Sequence, residues 1–116
     1  MFTIQNYDSH RALSDYRIGE VYSFYIHNPN MNRLVTVNET DFAPFVTRLT
    51  DILETNEGVI KNNGQYLNFT ESVGIVIDTH KSTSPKEIDY ITVLFRTASN
   101  DFAVNKYVVN YNRTSI

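Results

Sequence analysis

Asp78-Thr79-His80 sets a carboxylate and an imidazole two residues apart. At the end of a strand that spacing sends both side chains to one side. Such a pair can transfer protons or offer two ligands to a metal. A working site needs a third group, and Lys81-Ser82-Thr83-Ser84-Pro85-Lys86, which follows, is an ordinary polar turn. His10 and His27 stand alone, without the spacing that brings two imidazoles to one metal. With no cysteine, thiol nucleophiles, disulfides and Cys-ligated zinc are excluded. Gly19, Gly58, Gly64 and Gly74 are too scattered for a phosphate-cradling loop, and no serine lies in a Gly-X-Ser-X-Gly elbow. The expectation is a non-catalytic chain with no metal or cofactor.

A second group mixes aromatic rings with cations. Tyr90, Arg96, Lys106, Tyr107, Tyr111 and Arg113 lie in two consecutive strand-like segments, and a sheet presenting such residues can stack single-stranded bases. Alternation works against this, since Tyr107 and Tyr111 share a face with Val109, as core residues do. The net charge of −3 also opposes the electrostatic attraction that dominates nucleic-acid affinity. Asp78, His80, Arg96 and Lys106 together form the alternative ligand or nucleic-acid site.

The third group is acidic. Asp51, Glu54 and Glu57 recur every three residues at the C-terminal end of a helical segment. Carboxylates there meet the negative pole of the helix dipole, at a cost of about 0.3–1 kcal/mol each. They form a ridge suited to a basic surface on a protein partner, against the plainer role of a solubilising outer face. The ridge belongs to an uneven charge distribution. Residues 1–58 carry eight acids and four bases, whereas residues 59–116 carry five acids and six bases.

Elements that position these groups follow from periodicity. Phe42, Phe45, Val46, Leu49, Ile52 and Leu53 form one continuous stripe at helical spacing, which predicts an amphipathic helix over about residues 42–56. Asp41 is the expected cap, because it places Pro44 in the first turn, where a missing N–H costs nothing. Glu20–His27, Arg33–Val37, Val73–Asp78, Glu87–Thr97 and Phe102–Asn112 read as strands, the last two being the longest. Val59–Lys61 and Gln65–Phe69 flank Asn62-Asn63-Gly64 as a hairpin would. Gly74, inside a strand, marks a bulge or a close backbone approach. Phe2–Gln5 reads as an edge strand and Ser9–Tyr16 as a short helix. Ile91, Val93 and Phe95, with Tyr107, Val109 and Tyr111, are the inward faces of the last two strands. The fold class is α+β: a mainly antiparallel sheet of about six to eight strands with one main helix on one face.

The chain has 116 residues, 41% of them hydrophobic, with eight Tyr and seven Phe. That is the size and content of one compact domain with its own core. Met1–Asn6 lacks the basic and apolar segments of a leader, and no apolar run approaches the roughly 20 residues that span a bilayer. A cytoplasmic protein with no membrane association is expected. The most economical function is a small interaction module that binds and inhibits or otherwise modulates another protein. An abundance of Asn, Thr, Tyr and Ile without a catalytic motif fits accessory proteins of phages and mobile elements. Self-pairing through sheet edges is a further expectation. The rival readings are a single-stranded nucleic-acid binder and a small acid–base enzyme with a pocket near Asp78 and His80.

The helical stripe makes a direct prediction. Leu49→Asp should destabilise by more than about 3 kcal/mol, because it buries an unpaired carboxylate. Thr50→Asp, expected on the opposite side, should be mild; equal melting temperatures for the two variants would refute the helical register.

Overall fold

A computed structural model describes residues 4–25, 35–55, 71–84, 88–97 and 100–110. Among the described residues, six strands build one sheet: β1 (Gln5–Asn6), β2 (Val21–Tyr25), β3 (Val35–Val37), β4 (Glu71–His80), β5 (Tyr90–Arg96) and β6 (Phe102–Val108). Their spatial order is β1-β2-β4-β5-β6-β3. β1 runs parallel to β2, and every other neighbouring pair is antiparallel. One helix, α1 (Ala43–Thr55), packs on one face. The α+β architecture expected from the sequence is the one observed.

The start of α1 differs from expectation. A 3₁₀ turn over Glu39–Phe42 runs straight into the α-helix, and the cap is Asn38, whose side chain accepts from the Thr40 N–H at 3.0 Å. The ladder changes from 3₁₀ to α just before Pro44. Pro44 therefore still falls in the first α turn, where its missing N–H costs nothing, while the cap moves from Asp41 to Asn38. Leu49 is fully buried, and Phe42, Phe45, Val46 and Leu53 pack around it. Ile52 is half-buried at the margin of the stripe. Thr50 is half-buried as well, so the exposed Thr47 is the better outward control for Leu49→Asp. From the outer side of the helix, Arg48 Nε donates to the Gly19 carbonyl at 2.5 Å. Gly19 has φ of +92°, a backbone that other residues rarely adopt.

β4 and β5 form the middle of the sheet and are apolar on both faces, as strands covered from two sides must be. On the helix side, Val73 and Ile75 of β4, Leu94 of β5 and Phe102 of β6 join Leu49. On the far side, Tyr22 and Phe24 of β2, Val76, Ile91, Val93, Phe95, Tyr107 and Val109 form a second cluster, closed by Tyr7, Leu13 and Tyr16. The expected inward faces of β5 and β6 are therefore those observed, apart from Tyr111, which lies outside the described residues. Gly74 marks a close approach. A Cβ there would sit 2.4 Å from Val93 Cγ1 and 2.6 Å from Phe95 Cε1.

Several boundaries shift. β4, at ten residues, exceeds β5 and β6 at seven each, so the last two strands are not the longest. Polar Thr79 and His80 stay in the ladder because β5 pairs with them through Ile91 and Tyr90. Ser9–Tyr16 forms only a 3₁₀ turn, Leu13–Asp15. Tertiary bonds compete with a helix here: the Tyr16 hydroxyl donates to the Asp8 carbonyl at 2.7 Å, and the Asn110 N–H donates to the Arg11 carbonyl at 2.8 Å. Of the edge strand expected over Phe2–Gln5, Phe2 and Thr3 lie outside the described residues, and the strand observed is Gln5–Asn6. The hairpin expected over Val59–Phe69 lies outside the described residues.

Three buried tyrosines and the half-buried Tyr7 tie stability to pH. Burial pushes the Tyr107 phenol up to about 12, an effect that the neighbouring Asn105 amide partly offsets. Burial also raises Tyr7, Tyr16 and Tyr22. In the unfolded chain these phenols titrate near 10.0, so the folded state holds their protons more tightly. Their stabilising effect is complete below pH 10 and is lost as pH rises towards 12. Of the eight tyrosines, these four should ionise only together with the loss of near-ultraviolet circular dichroism. Ionisation of more than four tyrosines with the tertiary signal intact would refute the burial of these rings. A second prediction concerns Gly74→Ala, which must displace Val93 or Phe95 and should cost about 1–3 kcal/mol in chemical denaturation. Wild-type stability in that variant would mean the close approach is absent.

Candidate functional site

A β-bulge decides where Asp78 and His80 point. Val76 pairs with Val93 and Asp78 with Thr92, which leaves Ile77 as the extra residue in β4. An uninterrupted strand would put Asp78 on the face of Val76, beneath the N-terminal segment. The extra residue instead puts Asp78 and His80 on the helix-side face, with Thr92 and Tyr90. There the His80 ring stacks on Tyr90, with centroids 4.5 Å apart and planes 20° apart. Across the next strand, Lys106 Nζ lies 4.9 Å from the Tyr90 centroid, within cation–π range. Asp78 is exposed and accepts from the Thr79 N–H at 2.9 Å.

Arg96 does not join them. It pairs with Phe102, whereas Lys106 pairs with Thr92, and four residues of β5 separate the two positions by about 13 Å. Tyr107 belongs to the buried cluster on the opposite face. The aromatic and cationic residues expected to form a base-stacking surface are thus divided between two faces and two ends of the sheet. Tyr111 and Arg113 lie outside the described residues, as does His27. The His10 N–H donates to Asp8 Oδ1 at 2.9 Å. Among the described residues, no three His, Cys, Asp or Glu side chains are grouped to hold a metal ion, and no helix is long and apolar enough to cross a membrane.

On the outer side of α1, Asp51 and Glu54 are both exposed, as are Glu39 and Asp41 at the helix entry. The Thr55 hydroxyl donates to Asp51 Oδ1 at 3.5 Å. Arg48, the cation nearest in sequence, is turned towards Gly19. Among the described residues, the ion pair present is Arg11 with Asp15 at 3.8 Å, and it leaves these four carboxylates uncompensated. Glu57, the third member of the expected ridge, lies outside the described residues.

Two hollows were not legible beforehand. One, of about 240 Å³, opens beside the edge strand and is lined by Val35, Thr92, Val104, Asn105 and Lys106. The other, of about 570 Å³, lies between the N-terminal segment and the sheet end, with Leu13, Ser14, Thr79, Lys81, Asp89 and Asn110 in its walls. Asp89 is buried, accepting from the Ser82 N–H at 2.8 Å and from Asn110 Nδ2 at 3.3 Å. The signal for it was a carboxylate between Ile88 and Tyr90, where a buried acid must be hydrogen-bonded. Its partners come from two other segments, so they could not be named from the sequence. Neither Asp78 nor His80 lines either hollow. No family model, curated protein or solved structure matches this chain.

Proposed function

We propose that this chain is a non-enzymatic module that binds another protein through the acidic outer side of α1 and modulates it, most simply as an inhibitor. The observation that supports this reading is the uncompensated exposure of Asp51 and Glu54 at the C-terminal end of the helix. Folding alone favours cations there. A cluster of fixed carboxylates attracts a basic surface over a Debye length and accelerates encounter. The sheet beneath holds the helix rigid through Leu49 and the side chains packed around it, so the charges are presented without further ordering cost. Neither rival reading gains support of this kind. Tyr107 lies on the face opposite Tyr90, Arg96 and Lys106, and neither Asp78 nor His80 lines either of the two hollows.

The test is a triple substitution, Asp51→Asn, Glu54→Gln and Glu57→Gln, with the partner captured from the native host and identified by mass spectrometry. In stopped-flow association at low salt, the variant should bind roughly tenfold more slowly and depend less on salt. Its melting temperature should be unchanged or slightly raised, because repulsion with the helix end is relieved. Equal association rates at low and moderate salt for both proteins would reduce the ridge to an ordinary solvated face.

A further inference from the structure

The smaller hollow lies on the same sheet face as the helix, at the opposite end. The helix-side cluster takes in Val73, Ile75 and Ile77 of β4 and Leu94 of β5. Further along the same face come Asp78 and His80, then Tyr90 and Thr92, then Lys106. Val35 stands at the outer edge, paired with Val104 and 61% exposed. Val35 is the most exposed large hydrophobic side chain among the described residues, and it stands beside a second apolar wall formed by Val104.

Lys106 makes the cleft selective. The residue is exposed and lines the cleft, while its ammonium rests against Tyr90. Tyr90 also stacks on the His80 ring. The charge is therefore held in place, and among the described residues Lys106 is in no ion pair. Thr92 adds a hydroxyl to the wall. Apolar walls with a few fixed polar groups are the usual anatomy of a recognition pocket. The volume of about 240 Å³ falls below the roughly 300–1,000 Å³ of small-molecule sites and suits a single side chain.

We propose that this cleft is a second anchor point for a protein partner, taking one apolar side chain between Val35 and Val104 and pairing an adjacent carboxylate with Lys106. The inference rests on the protein-binding reading and adds the chemistry of the segment recognised. Charge complementarity selects the occupant. A fixed, unpaired cation beside an apolar cleft calls for a carboxylate next to an apolar group. A nucleobase is a poor fit, since stacking needs a free ring face and the Tyr90 ring is already in contact with both His80 and Lys106. Together the acidic helix and the cationic cleft would set the partner's orientation through two contacts of opposite sign.

The test is a heteronuclear NMR titration with two blocked peptides, acetyl-Gly-Leu-Glu-Gly-amide and its Gln counterpart, at millimolar concentration. The acidic peptide should shift the amides of Val35, Thr92, Val104 and Lys106, and the Gln peptide should bind roughly two- to fivefold more weakly. Lys106→Gln should erase that difference, and Val35→Asp should abolish binding of both; the exposure of the two residues leaves the fold undisturbed. Shifts absent from these residues, or equal affinity for both peptides, would overturn the proposal. So would an oligothymidine that shifts the same amides more strongly than the acidic peptide does. A failed titration beside a slowed triple variant would remove the cleft and keep the acidic helix as the binding surface. The opposite result would keep the cleft and remove the helix.

Discussion

The ring of Phe95 lies across β4 because Gly74 has no side chain. A methyl group at that position would fall 2.6 Å from Phe95 Cε1, inside any tolerable contact. The far-side layer depends on this one vacancy. Phe24 meets Phe95 edge to face at 5.5 Å, Tyr107 lies 4.6 Å from Phe24, and Tyr7 lies 5.1 Å from Tyr107. Such pairs add about 0.5–1.5 kcal/mol each beyond their burial. Lifting Phe95 by an ångström would pass strain through every ring of this set. The two faces of the sheet are also linked here, since β4 and β5 carry both clusters on alternate residues.

What was legible in the sequence is what repeats. The stripe from Phe42 to Leu53 located the helix, and the alternation of Ile91, Val93 and Phe95 fixed the inward face of β5. The bulge at Ile77 was hidden, because Val73–Ile77 is apolar on both faces. A strand with no polar alternation loses no pattern when one residue is inserted. The same pair, Asp78 and His80, was therefore correctly placed on one side of a strand, while which side could not be known. The entry to α1 was obscured differently. Asn38 and Asp41 both satisfy cap preferences, and the choice fell to a 3₁₀ turn that accommodates Pro44.

The charge asymmetry between the halves of the chain takes a spatial form. Carboxylates of the first half appear on the outer side of α1, whereas Lys106 and Lys81 of the second half sit at hollows of the sheet. Opposite charges are held on separate rigid elements, which limits their mutual neutralisation. Arg48 illustrates the principle in reverse. Its side chain is spent on the Gly19 carbonyl, tying the helix to the turn before β2 and leaving the carboxylates beside it open.

Tyr7 donates its hydroxyl proton to the Val108 carbonyl across a sequence separation of 101 residues. The N-terminal segment thus lies over a surface completed by β6, the last in chain order of the six described strands. Loop closure over such a span comes late in folding, after the local hairpins and the helix. During synthesis, Tyr7, Tyr16, Tyr22 and Phe24 leave the ribosome well before Tyr107 and Val109, the residues that complete their cluster. For that interval an aromatic surface is exposed on the nascent chain. It is open to chaperones, to a neighbouring nascent copy or to early engagement of a partner, and the rate of translation through β5 and β6 sets how long it stays open.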